Sequence, residues 1–555
     1  MRYPNKVEFL LSFTVVIVFL LLLTNTDLHA QIERNRKEEI NITSAFKPSI
    51  VRTGKLEFRA DPPLKDTSAY VFRYTQSTLN FKTSVGPIEV KPIAFKSDTD
   101  ADNNSGETFF AKLGYGNIQN PFASLSYNSK SQGNHFSLHA DHNSAKGSFV
   151  DQQYANSSLL AKFSKRINEN QVADFSAGYD FNAYKLYGYD HDAIIIPSDQ
   201  IQQNYHHAFG GLSYQYVAGS DGQTLFTPSM RYDYFRTNRL VSENQLLIKM
   251  PVSYRIASGL HLKTAIDIQA LQLSQNSKQQ DAKTLIQVPL NIEYAVNQIL
   301  LNGGVTPVLK NDKLSVLPEI LLSYKLPETS VKVKAGVHNE LNINSMYKLN
   351  QMNPFILPVD TLTIFQEQQY FAGFDLHSSK GLQLSVKTGY SQFKNQPLFI
   401  NNGAFGNELK VLNESSLSAL MLDANLTYIF SNNLKFSSGL KGYSFQKQSD
   451  YDEAYGLLPL ELLFRLDWEP LEQLKTRFTT VLWSGTMSKT GNNTDIKLQD
   501  AADISMGVDY KLNKKWALWI DLNNIANSRY QRWNQYPSFG FNFIGGVRYA
   551  FNKKD

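Results

Sequence analysis

Cysteine is missing from this chain of 555 residues, which excludes structural disulfides, a thiolate-bound metal and a lipid anchor on cysteine. Charged side chains are scarce at 19%, against about 25% for an average soluble domain. Basic and acidic residues nearly cancel, 55 against 50, and no strongly basic run occurs. The clustered footprint that nucleic acid requires is therefore absent. Long apolar runs are missing after residue 23, so no later segment approaches the roughly 20 residues of a spanning helix. Also absent are a Gly-x-Ser-x-Gly elbow, a phosphate-binding glycine loop, a His-Glu-x-x-His pair and a dinucleotide fingerprint.

The remaining polar candidates form no catalytic constellation. Asp174 and Asp180 lie six residues apart on one strand face, roughly 20 Å and too far for paired acid–base work. His135, His139 and Asp141 share a face, but alternate strand positions are about 7 Å apart, so one metal would need ligands from neighbouring strands. His206 and His207 point to opposite faces. No cofactor and no metal are expected, and the chain is not read as an enzyme. Dispersed serines and histidines leave an outer-membrane lipase as a distant alternative.

What the chain has in quantity is aromatic: 29 tyrosines and 35 phenylalanines, in a sequence whose mean hydropathy is −0.33. Polar on average yet rich in Tyr and Phe is the composition of a membrane barrel, wet inside and greasy outside. At the N-terminus, Arg2 and Lys6 precede the apolar stretch Phe9 to Leu23, and a polar stretch leads to Ala30 and Gln31. This pattern predicts a secretory signal peptide over residues 1–30. Residues 31–106 carry Pro48, Pro62, Pro63, Pro87 and Pro92 without regular alternation, so a short, extended periplasmic segment is expected there.

From Glu107 to Phe551 the sequence alternates with period two. Ile286, Val288, Leu290, Ile292 and Tyr294 oppose Gln287, Asn291 and Glu293, and Leu420, Leu422, Ala424, Leu426 and Tyr428 oppose Asp423, Asn425 and Thr427. Such spacing puts one class of side chain on each face of a sheet. Connection lengths then choose between a soluble sandwich and a barrel. Short turns near 168–171, 257–259, 296–298, 326–329, 431–433 and 512–514 alternate with long loops at 189–202, 339–360, 393–414 and 524–536. Short periplasmic turns and long outer loops belong to membrane barrels. The expectation is an all-β, antiparallel transmembrane barrel of about 22 strands over 107–551, with 552–555 as a C-terminal tail. Outer-membrane lipid and the outer-membrane assembly machinery are the expected partners, with a periplasmic or surface subunit as a further candidate.

Two loops carry apolar residues suited to ligand or partner contact: Phe355 and Ile356 in one, Phe399, Ile400 and Phe405 in the other. The same residues could equally pack the loops on one another. The lumen face mixes Lys263, Lys332, Lys334, Lys435 and Lys441 with Asp174, Asp267, Asp423 and Asp509, which predicts no strong charge selectivity.

The stretch Ile520 to Phe551 resembles the end of the TonB-dependent receptor barrel. Asn523 and Asn524 look like its Asn-rich hairpin tip, followed by Tyr530, Tyr536, Pro537 and Gly540, with Phe541 where that family often has Arg. Tyr549 and Phe551 resemble the terminal aromatics that close such barrels and are read by the assembly machinery. The resemblance implies transport of a substrate across the Gram-negative outer membrane. That family carries a Gly-rich plug of about 130–150 residues before its 22-stranded barrel, whereas about 76 residues stand here between signal peptide and barrel. The expected protein is a receptor-type barrel without a full plug. A non-transporting scaffold or accessory subunit of an assembly or export complex is the alternative.

Overall fold

The computed structural model describes residues 106–554, except 220–222, 311–312, 379–380 and 404. The expected signal peptide lies outside the described residues, as does the periplasmic segment save Gly106. Alternation from residue 107 onward becomes a single closed antiparallel sheet. Its last strand, Asn542–Lys554, pairs with its first, Gly106–Gly116, in eleven positions from Gly106↔Lys554 to Gly116↔Ile544. Phe551 lies opposite Phe109 within this seam, and the ladder runs on past it through residues expected as a tail.

Four strands are interrupted by two residues each, at 227–228, 250–251, 265–266 and 288–289. Counting each of these once gives 22 strands around the ring. Three of the interruptions contain a proline, Pro228, Pro251 and Pro289, which lacks the N–H that a ladder needs. The breaks stand side by side. Thr227 N donates to Pro251 O at 3.1 Å, Met250 N to Ile266 O at 3.0 Å, Ala265 N to Pro289 O at 3.2 Å, and Val288 N to Pro307 O at 2.9 Å. A row of prolines thus crosses one flank of the wall, and the neighbouring amides close over it.

Both described chain ends lie at the end of the barrel that carries turns such as 132–133, 169–170, 258–259, 297–298 and 432–433. This is the periplasmic end by the length rule. At the other end stand six long connections, 186–201, 345–362, 395–416, 449–459, 485–500 and 524–541. The proline-bearing flank differs, because its outer turns 238–240 and 276–277 are short. Asn276 and Ser277 both take positive φ, 50° and 62°, the geometry of a two-residue hairpin turn whose twist matches its strands.

Outward positions are apolar and exposed, for example Leu290, Ile292 and Tyr294, and Ile320 and Leu322. Such a continuous apolar girdle would be untenable in water and suits lipid. Inward charges are paired across neighbouring strands, Lys263 with Glu293 at 2.6 Å, Lys334 with Asp375 at 2.6 Å and Arg477 with Asp467 at 3.1 Å, and Arg548 reaches Asp509 at 3.4 Å over the strand between them. Pairing of this kind leaves the wall without a field of one sign.

Candidate functional site: the loop-built outer mouth

On the flank with short outer turns the inner wall turns from polar to apolar near its outer end. Phe235, Val241, Leu271, Leu273, Leu285, Val308 and Leu317 are buried there. They are covered by Met346, Leu349, Phe355, Ile356 and Leu362 of the loop 345–362, in one cluster that also takes in Leu186, Phe399, Leu409, Trp533 and Tyr536. Long loops therefore lean from the high side of the rim onto the low side. They supply the apolar lining with the neighbours that water would deny it.

A short helix, Met346–Met352, forms the lowest part of this cap. Ser345 caps it, its side chain accepting from Lys348 N at 3.0 Å. The next orphan amides of the first turn, those of Met346 and Tyr347, donate to the buried Glu243 carboxylate on the inner wall, Tyr347 N to Oε2 at 3.0 Å. An anion at a helix N-terminus satisfies both hydrogen bonding and the helix dipole. Beside it, the Tyr347 ring stacks on His207 at 3.9 Å. His207 is held between Asp180 at 3.0 Å and Asp233 at 2.8 Å, and Asp233 also binds Arg231 at 2.7 Å. His206 faces the other way and meets Tyr179 Oη at 2.7 Å. His139 pairs with Ser126 at 2.6 Å and with Asp141.

Above the helix the loops join through backbone. Leu357 N donates to Leu409 O at 2.8 Å and Leu409 N to Phe355 O at 3.0 Å. Leu409 belongs to a hairpin, Gln396–Asn402 paired with Glu408–Glu414. From its other edge Phe399 N donates to Tyr455 O at 3.1 Å, and Gly456 N reaches Met487 O at 2.8 Å. A small irregular sheet thus crosses the mouth from one loop to the next.

Aromatic contacts tie this sheet to the loop 524–541. Phe355 stacks on Tyr536 at 3.7 Å and 14°, and Tyr187 stands edge-on to both, at 6.0 and 5.0 Å. Tyr187 Oη donates to Pro537 O at 2.9 Å, and Tyr536 Oη to Asn407 O. Burial pushes both phenols well above their usual range, so each stays a neutral donor. Arg532 is buried with them. Its guanidinium lies 4.1 Å from the Trp533 ring and donates to Gly456 O at 2.8 Å. Burial brings it down to about 9, with the Glu461 carboxylate opposing the shift.

The apolar loop residues separate into two groups. Phe355, Ile356 and Phe399 are interior to the cap and fully packed, and Ile400 is half-buried beside them. Phe405 is 50% exposed at the hairpin tip. Tyr549 and Phe551 lie on the seam, where Tyr549 meets Trp516 at 4.8 Å and Lys515 Nζ sits 5.3 Å from the Phe551 ring. Glu243, Glu414 and Arg532, which organise the mouth, carry no distinguishing sequence signal. Glu243 and Glu414 are single acidic positions in alternating strands, like many others.

No family model and no curated protein matches the chain. Solved structures do. The ferric enterobactin receptor PfeA of Pseudomonas aeruginosa superposes with a TM-score of 0.61 at 12% identity, over 81% of this chain and 80% of that one. The siderophore receptor PirA of Acinetobacter baumannii gives 0.63 at 9% identity over 81% of both chains. The copper transporter OprC gives 0.62 at 13% identity, also over 81% of both. The fold is that of the large outer-membrane receptors. At such identities the likeness concerns architecture, and the girdle of exposed apolar side chains on this barrel suits a lipid bilayer.

Proposed function

We propose that the chain is an outer-membrane transport receptor of the TonB-dependent type, taking a ligand from the outside at its loop-built mouth. The observation that carries this reading is the cap itself. Loops from six hairpins fold together over an apolar inner wall in a barrel of receptor size, which is more than a passive pore requires. Siderophore-bound iron and copper, named for the similar barrels, are the first ligand classes to test here.

Phe405, with Ile400 beside it, is the proposed point of ligand contact. Phe355, Ile356 and Phe399 form the frame that displays it and meet a ligand only when the cap loosens. In this reading the cap takes over part of what a full plug does, and residues 31–106 serve as the periplasmic contact for TonB. Tyr549 and Phe551 act as the recognition signal for the assembly machinery.

The test is uptake of radiolabelled ferric siderophores and of copper by cells carrying the intact chain or a variant lacking 398–406. Saturable uptake that the deletion abolishes, with the barrel still folded, supports the proposal. Uptake indifferent to the deletion, or absent for every metal complex offered while the chain binds periplasmic subunits, would replace it with the accessory-subunit reading.

A further inference from the structure

The wall is incomplete beside the strand Lys313–Lys325. Strand Lys313–Lys325 pairs along its whole length with the preceding strand, as far as Lys313↔Lys310. With the following strand, Val331–Asn344, it pairs only from Lys325↔Lys332 to Ile320↔Val337. Beyond Val337 that following strand keeps its other neighbour up to Asn344↔Thr363. It leaves the wall for the interior, where Ile343 N reaches Gln269 Oε1 at 3.3 Å.

Side chains finish the crotch of this fork. Asn339 Nδ2 donates to Pro318 O at 2.5 Å, Asn339 N to Glu319 Oε2 at 3.2 Å, and His338 Nδ1 meets Glu319 Oε1 at 2.7 Å. The divergence is therefore built into the wall, with Pro318 placed where a ladder donor would otherwise be needed.

Above Pro318 an edge is left. Lys325 N donates to Gln298 O on one side and Leu326 N to Val331 O on the other. Successive residues of a strand address opposite neighbours, so the even-numbered Leu314 and Val316 aim their N–H and C=O groups into the fork. Neither has a ladder partner on that side among the described residues. Their side chains face outward and are 72% and 57% exposed, more than Ile320 and Leu322 further down. No charged residue interrupts Leu314-Ser-Val-Leu-Pro318, although charge is a common way of blunting such an edge.

We propose that Leu314–Leu317 is a docking edge for an extended segment of another protein, which joins the barrel wall as an added strand. The occupant must present backbone donors and acceptors at two-residue spacing to four waiting groups. It must also carry apolar side chains on alternate positions, to lie beside Leu314 and Val316 at the outer rim of the lipid. A second copy of the chain does not fit. Two barrels related by an axis along the membrane normal send this strand upward in both, and tilts of about 40° make the two edges cross rather than align. Lipid headgroups offer no repeating row of donors and acceptors. Apolar surroundings make each unmet backbone group costly, which favours occupancy. This inference is independent of the transport reading.

The experiment is photo-crosslinking in whole cells with benzoylphenylalanine placed at Val316, compared with Leu301, an outward position whose strand is paired on both sides. A protein adduct at Val316 alone, mapped to an alternating apolar segment of the captured chain, is expected. With the crosslinker moved to Leu314, Val316→Pro removes one N–H from the fork and none from the ladder with the preceding strand. Adduct yield should drop about fivefold, the worth of one hydrogen bond. Leu314→Arg, with the crosslinker at Val316, keeps every backbone group but sets a charge beside the incoming strand, and should also lower the yield. Adducts with lipid only, adducts of twice the chain's own mass, or a yield indifferent to both substitutions would overturn the proposal.

Discussion

Replacing Glu243 by Ala is the sharpest probe of the cap. The carboxylate accepts the first free amides of the helix Met346–Met352 from a buried position on the wall. Hydrogen bonds to a charged acceptor contribute about 1.5–3 kcal/mol each. Losing two of them, with both amides left buried, should cost the docked helix at least about 3 kcal/mol, rather more than a hundredfold in its closed population. Amide hydrogen exchange at Met346 and Tyr347 reads this directly, and protection there should fall by about that factor. Strand amides near Leu271, below the cap, should keep theirs. Glu243→Gln retains one acceptor oxygen and should lie between the two. Unchanged exchange in Glu243→Ala, in a barrel that still resists detergent, would refute the view that this contact holds the helix in place.

Glu414 is a second anchor, accepting from the amides of Ser449, Asp450 and Tyr451 at 2.9–3.2 Å. Glu414→Ala should release the loop 449–459 by about 3 kcal/mol, seen as rapid chymotryptic cleavage at Tyr451 on intact cells. Asp450 is held below its ordinary value of 3.8 by the hydroxyl and amide of Ser415. The contribution of that tie is complete above 3.8 and is lost as pH falls through the lowered value, so the protection factor of the Ser415 amide, the intrinsic exchange rate over the observed one at each pH, should be flat from pH 7 to 4 and fall only below. Gly456 has φ +76°, and a methyl group there would lie 2.8 Å from the Trp533 ring and 3.1 Å from Phe399. Gly456→Ala should therefore loosen the mouth by about 2 kcal/mol, shifting Trp533 emission to the red without altering heat-modifiability of the barrel.

The barrel was legible because period two, repeated over hundreds of residues, admits few solutions once turn lengths alternate. The closing role of the strand through Phe551 and the opposite facing of His206 and His207 both follow from that rhythm. The mouth was not legible. Whether Phe355 and Phe399 face solvent or each other depends on contacts between loops far apart in sequence, such as Phe355 with Tyr536, and no local pattern encodes them. The inner wall also departed from simple expectation. Leu271, Leu273 and Leu285 occupy lumen-side positions where polar residues were expected, because a loop from across the rim covers them. Prolines inside strands were equally hidden, since a proline argues against a ladder until its neighbours are known.

The row of prolines has a mechanical consequence. A sheet resists bending chiefly through its cross-strand hydrogen bonds, and on this flank those bonds are thinned along a single line near Pro228, Pro251, Pro289 and Pro307. The wall there should act as a crease, letting the upper panel of four strands tip while the lower panel stays upright. Because the cap rests on that panel, a small tilt at its foot becomes a wider displacement at its lip.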